Sequence, residues 1–362
     1  MCLLGRSCKK HAIKEVFGIT YCRHPVTMSH IIKSAVRSIR VTLVLSLLAQ
    51  AGIAFAGYDP NGLMSTTRNG DVEIAYSVVG DAGAEPILIV MGLAASHRVW
   101  NPAIIDGLVD GGYRVVLLDN RDVGQSSRIE GRGKLWLGWQ LLKDQFGWKV
   151  NSPYTLQDMA ADAVSVLDAL NIERAHVIGA SMGGMISQVI AYDHPERAQS
   201  LVSIMSTTWA PHLPPPGKAQ QQGIADMNES SGDETERLEQ LGFYTSALPN
   251  QVTAILNAGD RTERVAQITA PTLVLHGAED KLLTVEHGRH TAETIVGARF
   301  KVYDDMGHNL PDDIVPIMVG DMLGPPAQPS DGRQQNTKGR VAFVAGRLVS
   351  KSAIGCADSP PS

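Results

Sequence analysis

Short, almost unbroken apolar runs, each followed by a stretch with helical spacing, constrain this chain more than any other feature. Residues 86–91 read PILIVM and residues 114–119 read RVVLLD. Residues 175–180 and 271–276 are of the same kind. Such a run is a strand covered on both faces, as in a parallel sheet wrapped by helices. Val72–Val79 is a further strand, ended by Gly80, and 200–206 and 298–303 complete the set. Helices are expected at 101–110, from Thr155 onward, at 182–193 and around 285–296. Thr155 with Asp158 three residues on makes a capping-box-like start. Met159, Ala163, Val166, Leu167 and Leu170 then recur at helical spacing. The alternation predicts an α/β fold with a doubly wound, mostly parallel sheet.

Residues 209–262 break the rhythm. They open with Pro211, Pro214, Pro215 and Pro216, continue through an acidic stretch at 226–239, and contain a helical run near 245–257. That is too long for a plain loop, so a short helical cap inserted over the sheet is expected. The body of the chain is set at 57–324. Apolar residues at 44% and charged residues at 19% of the 362 exclude a mainly disordered chain. Charge is unevenly spread. Residues 1–56 carry eight Lys and Arg against one acid, and 325–362 five against two. Of the total of −5, the middle therefore holds −15. So acidic a body is a poor partner for nucleic acid, which needs clustered cations.

The chain ends are read separately. In 28–56, Met28 is followed by Lys33, Arg37 and Arg40, an apolar run at 41–51, and Ala54-Phe55-Ala56. That order is a secretory signal peptide, and it predicts export to the periplasm or medium after cleavage at Ala56. The apolar run is too short for a stable membrane span. Residues 1–27 show no pattern, and translation is expected to start at Met28. Residues 325–362 are rich in Pro, Ser, Gly and Gln and are expected to form a disordered tail. Cys2, Cys8, Cys22 and Cys356 all lie outside 57–324, so the body has neither disulfide nor thiolate metal site.

The chemistry concentrates in Gly179-Ala180-Ser181-Met182-Gly183, a G-x-S-x-G between a strand and a helix. In that context the serine sits on a sharp, strained turn, and small neighbours let the helix pass close to the strand. The alternative is a glycine-rich turn in which Ser181 is an ordinary helix cap. A serine nucleophile needs a base, and the base an orienting acid. Asp280 follows the strand at 271–276, and His308 follows the strand at 298–303. All three candidates lie at C-terminal strand ends, where open α/β sheets build their sites. Glu279, Asp304 and Asp305 compete as the acid and His276 as the base; each is read as a surface or structural residue. His97 stands near the next site and is left unassigned. Acyl transfer also needs oxyanion donors. The Met182 N–H, at a helix start, is one candidate, and the Leu93 N–H after Gly92 is the other. Arg121 and Asp122 are read as structural.

MGLAASHRVW, LLDNRDVGQSS, PYTLQDMAADAVSVLDAL, GASMGGMISQVIA, LNAGDRTERVAQITAPTLVLHGAED and DDMGHNLP, taken in order, resemble the α/β-hydrolase superfamily. Within it the chain is most similar to the serine esterases that include the anthracycline (aclacinomycin) methylesterases. The resemblance covers roughly 70–310. It implies Ser181 as nucleophile, His308 as base, Asp280 as its orienter, and Leu93 and Met182 as oxyanion donors. It implies hydrolysis of a small or medium apolar carboxylic ester through an acyl-enzyme, with no cofactor and no metal. Perhydrolysis, amide or peptide hydrolysis and carbon–carbon bond hydrolysis run on the same triad and stay open, as does a non-catalytic ligand-binding member of the fold. Two departures stand out: the cap is shorter than usual in such enzymes, and the sequence after 324 does not resemble their closing helix.

Overall fold

A computed structural model describes residues 59–324, with 63, 131 and 132 left out. The expected extension at 1–27, signal peptide at 28–56 and tail at 325–362 lie outside the described residues. All described residues belong to one of the chain's two compact units, Leu43–Ser362.

Eight strands form one sheet. In chain order they are β1 (Ser65–Asn69), β2 (Val72–Val79), β3 (Glu85–Val90), β4 (Tyr113–Leu118), β5 (Ala175–Ala180), β6 (Ala198–Ile204), β7 (Thr272–Gly277) and β8 (Arg299–Tyr303). Their spatial order is β1-β2-β4-β3-β5-β6-β7-β8. The first two ladders are antiparallel and the rest parallel. The expected strands are all present, displaced by at most two residues; β1 is additional. It sits at the edge, half-exposed and polar, so it lacks the apolar run that marks a central strand. Strands β5 and β7 are buried along their whole length, as their largely apolar sequences require.

Helices cover both faces and divide the core in two. On one side α1 (Pro102–Asp110) and α10 (Val315–Met322) pack on Ile87, Ile89, Val115 and Leu117. On the other, α3 (Leu156–Ala169) and α4 (Met182–Asp193) pack on Leu88, Val90, Val116 and Val177. The capping box at the start of α3 is formed: Thr155 Oγ1 accepts from the Asp158 N–H and Asp158 from the Thr155 N–H. Helix α9 (Val285–Thr294) lies between β7 and β8 in sequence. The closing helix is α10, which ends before 324; its Pro and Gly, and only eight residues, gave no helical period to read.

The cap holds α5 (Lys218–Glu229), α6 (Asp233–Gln240), a 3₁₀ turn at Thr245–Ala247, α7 (Leu248–Ala258) and, at its end, the single turn α8 (Thr262–Val265). One helix between β4 and α3 was not visible in the sequence: α2, Lys134–Gln145, which packs on α7. Its sequence, KLWLGWQLLKDQ, carries apolar residues on more than one face, so no single stripe announces it.

Candidate active site

The turn from β5 into α4 is built by what its neighbours lack. A Cβ on Gly179 would lie 2.2 Å from the Gly183 carbonyl oxygen, and one on Gly183 would lie 2.1 Å from the Val90 oxygen. Only glycine at both positions lets the helix start so close to β3 and β5. Between them Ser181 has φ +56° and ψ −121°, a conformation that L-residues rarely adopt. Backbone bonds hold it there: the Ser181 N–H donates to the Ile204 oxygen at 2.9 Å, and the Ser206 hydroxyl donates to the Ser181 carbonyl at 2.8 Å. Ser181 makes no side-chain cap bond to its own helix, so its hydroxyl is free to point elsewhere. The helix-cap alternative therefore does not describe this serine.

That hydroxyl meets His308. Ser181 Oγ lies 2.9 Å from His308 Nε2, and His308 Nδ1 lies 2.7 Å from Asp280 Oδ2. The structure thus brings Ser181, His308 and Asp280 into one hydrogen-bonded line, although 127 residues separate the first two. The loops after β7 and β8 are stitched together to make this possible. The Ala278 N–H donates to the Tyr303 oxygen at 2.9 Å and the Glu279 N–H to the Met306 oxygen at 3.0 Å. Gly277 lets them approach, since a Cβ there would lie 2.0 Å from the Met306 oxygen.

Asp280 is buried, and its other oxygen accepts the N–H groups of Leu282 and Leu283, both at 2.9 Å. Burial opposes its ionisation. The charge of His308 and hydrogen bonds from His276 and His308 outweigh burial, and hold the Asp280 carboxyl well below the usual carboxylate range. His276, read as structural, is fully buried and approaches the same carboxylate, with Nε2 3.4 Å from Asp280 Oδ2 and 2.7 Å from the Leu283 oxygen. Glu279, Asp304 and Asp305 are all exposed.

Of the remaining candidates, Met182 follows the serine directly, and Leu93 follows Gly92, which lies against it. Met182 opens α4, so its N–H has no acceptor within the helix and stands at the positive end of the helix dipole. Gly92 lies against Ser181: a Cβ there would be 3.1 Å from the Ser181 Cβ. The next residues are pinned by the cap. The Ala94 N–H donates to Gln251 Oε1 at 2.6 Å, the Gln251 amide donates to the Arg121 oxygen at 3.0 Å, and the Tyr244 N–H donates to the Ala94 oxygen at 2.7 Å. Ala94 itself is left-handed, with φ +56°. Gln251 is the residue that sequence reasoning missed. Its only signal is a buried polar pair, Asn250-Gln251, in a helix whose other buried residues, Thr253 apart, are apolar.

His97, left unassigned, is buried and bonds through Nδ1 to Asp119 at 2.6 Å, as its own backbone N–H does at 2.9 Å. It holds the loop after β4 rather than the serine. Arg121 pairs with Asp162 at 2.6 and 2.7 Å, and Asp122 accepts from the Tyr154 hydroxyl and the Asn250 amide. Asp122 also accepts from the Ile129 N–H of its own loop at 2.5 Å, and Arg121 donates to the Asp158 oxygen at 3.2 Å, so both residues hold the loop after β4 in place, as their structural reading expects. Among the described residues, no three His, Cys, Asp or Glu side chains are grouped so as to hold a metal ion.

Comparison with known proteins bears on this geometry. Residues 85–230 match the family model of the α/β hydrolase fold. The chain is 26% identical to rhodomycin D methylesterase of Streptomyces sp., over 64% of this chain and 88% of that protein. It is also 26% identical to 3-oxoadipate enol-lactonase 1 of Acinetobacter baylyi, over 67% of this chain and 89% of that protein. Among solved structures, the esterase RhEst1 of Rhodococcus sp. superposes with a TM-score of 0.53 at 20% identity, covering 70% of this chain and 96% of that one. The last likeness concerns the fold alone.

Proposed function

We propose that this chain, which belongs to the α/β hydrolase fold family, is a serine hydrolase that cleaves a small or medium apolar carboxylic ester through an acyl-enzyme. The observation that carries the reading is the hydrogen-bonded line from Ser181 through His308 to Asp280. Ser181 Oγ attacks the ester carbonyl carbon while His308 Nε2 takes its proton. The negative charge that develops on the carbonyl oxygen is met by the N–H groups of Leu93 and Met182. His308 then returns the proton to the leaving alkoxide as the carbon–oxygen bond breaks, and the alcohol departs. Water repeats the sequence on the acyl-enzyme: it loses a proton to His308, adds to the carbonyl, and releases the acid and Ser181. Asp280 keeps the His308 Nδ1–H oriented and offsets the positive charge that the ring acquires twice per turnover.

The relatives named above include a methylesterase and an enol-lactonase at equal identity, so a cyclic ester is as good a candidate as an open one. Both open through the same acyl-enzyme. A panel of p-nitrophenyl esters of rising chain length, set beside a lactone, tests the reading. Hydrolysis of at least one class, lost by several powers of ten in Ser181→Ala, is expected because the three residues act as a unit. Full activity in a folded Ser181→Ala protein would overturn it.

Export is the second part of the proposal and rests on the sequence of 28–56. N-terminal sequencing of the protein from its producing cell should begin at Gly57 or within about two residues of it. A mature protein that keeps 28–56 would contradict export by cleavage.

A further inference from the structure

His276 is fully buried near the end of β7, under α9. Its Nε2 lies 2.7 Å from the Leu283 carbonyl oxygen, which can only accept, so the ring hydrogen is on Nε2. Nδ1 is buried and has no hydrogen-bond partner among the described residues. A Cβ on Gly288 of α9 would lie 2.4 Å from it, so the helix closes over that edge of the ring. A buried polar atom left unpartnered weakens a fold, and a leucine in the same space would bring none. Packing alone therefore does not account for a histidine here; the hydrogen on Nε2 does.

That hydrogen stands beside the acid of the triad. Nε2 lies 3.4 Å from Asp280 Oδ2, the oxygen that also takes the His308 Nδ1–H at 2.7 Å. Leu283 is held from both sides: its N–H donates to Asp280 Oδ1 at 2.9 Å, and its carbonyl accepts from His276. Ring, turn and carboxylate are thus tied into one circuit. Few other ionisable groups reach it. From α9 comes His287, whose two nitrogens are taken by the Thr207 hydroxyl and the Pro214 carbonyl. In β8, Val302 is the register partner of His276, so Arg299, Lys301 and Tyr303 point to the other face of the sheet. Glu279, Lys281 and Glu286, and Asp304 and Asp305 after β8, are exposed. Strand β6 and the residues after it, 198–210, contain no ionisable side chain.

We infer that His276 is a positioning residue for the proposed hydrolysis: its Nε2–H tethers the turn that carries Asp280 and shares that carboxylate with His308. The inference rests on the serine hydrolase reading. With this donor gone, Asp280 draws the His308 Nδ1–H more strongly and favours the protonated ring. The base is then put out of action at a higher pH than in the unaltered protein.

A fluorophosphonate reads this without a known substrate: Ser181 Oγ bonds to phosphorus, fluoride leaves, and the serine proton passes to His308. The labelling rate is measured against pH for the whole protein, for His276→Leu and for His276→Gln. In His276→Leu the acidic limb should move up by on the order of half a pH unit or more. His276→Gln restores an N–H and should return the limb toward that of the unaltered protein. A residue that merely packs would lower the melting temperature of both variants and leave the limb in place. Nitrogen-15 spectra of the histidine rings, taken on the unaltered protein, should place the His276 hydrogen on Nε2, and they decide even where His276→Leu does not fold. A hydrogen on Nδ1, a limb common to all three proteins, or a limb that moves as far with Gln as with Leu would overturn the inference. An unaltered protein that takes no label at all would overturn the hydrolase reading itself, and the inference with it.

Discussion

Gln251 belongs to no motif, yet its amide spans two loops of the site. It takes the Ala94 N–H on one side and gives a hydrogen to the Arg121 oxygen on the other. With the Ala94 N–H so occupied, the oxyanion donor that we propose in this loop is the neighbouring Leu93 N–H. Gln251→Ala should therefore lower kcat about tenfold or more with little change in KM, because an oxyanion donor acts in the transition state. Gln251→Glu keeps the acceptor for Ala94 but loses the donor to Arg121, and should recover part of kcat. A rise in KM at constant kcat would place Gln251 in substrate binding instead. Asp280 makes a second contrast at this scale. Asp280→Asn should impair turnover by several powers of ten, since it disturbs the orientation and charge balance of His308, whereas Glu279→Gln, on an exposed side chain, should be mild. The reverse ranking in steady-state kinetics would move the acid by one position.

At the scale of elements, the sharp turn between β5 and α4 depends on close backbone contact. Gly183→Ala would push a methyl carbon against the Val90 and Met91 carbonyls, neither of which can swing away as a side chain could. It should cost several kcal/mol in urea unfolding, in the range of overpacked core sites or above. Thr155→Ala, by comparison, removes one cap at the start of α3 and should cost about 1 kcal/mol. These two elements were also the most legible in the sequence. Buried parallel strands leave six-residue apolar runs, and a capped amphipathic helix leaves a periodic stripe. The sequence order of Ser181, Asp280 and His308, each after a strand, was readable for the same reason. What stayed hidden has a physical cause in each case. Strand β1 is a polar edge, α10 is short and has proline as its second residue, and α2 has apolar residues facing solvent. Gln251 reaches its partners across 157 and 130 residues, and no local pattern encodes such a contact.

For the whole molecule, titration ties the site to stability. Burial lowers the His176, His287 and His290 values below that of a free histidine. Unfolding raises them to about 6.5, so the unfolded chain takes up protons first and stability declines as pH falls below that point. The Asp280 carboxyl, held low in the folded state, adds stability that is complete above its unfolded value near 4 and is lost as pH falls further. Both effects have the same sign. The urea midpoint should hold from pH 8 to about 7 and then fall in two stages. His287→Gln should shrink the first stage, leaving the parts due to His176 and His290, because His287 is buried between the Thr207 hydroxyl and the Pro214 carbonyl. A midpoint that rises on acidification would contradict this linkage. The central claim, that the fold makes Ser181 a nucleophile, is tested most directly by covalent labelling. Incubation with a fluorophosphonate, followed by intact mass and peptide mapping, should show one adduct per chain, on Ser181, absent from Ser181→Ala and strongly slowed in His308→Ala. No adduct on the folded protein, or an adduct that persists in Ser181→Ala, would contradict the account.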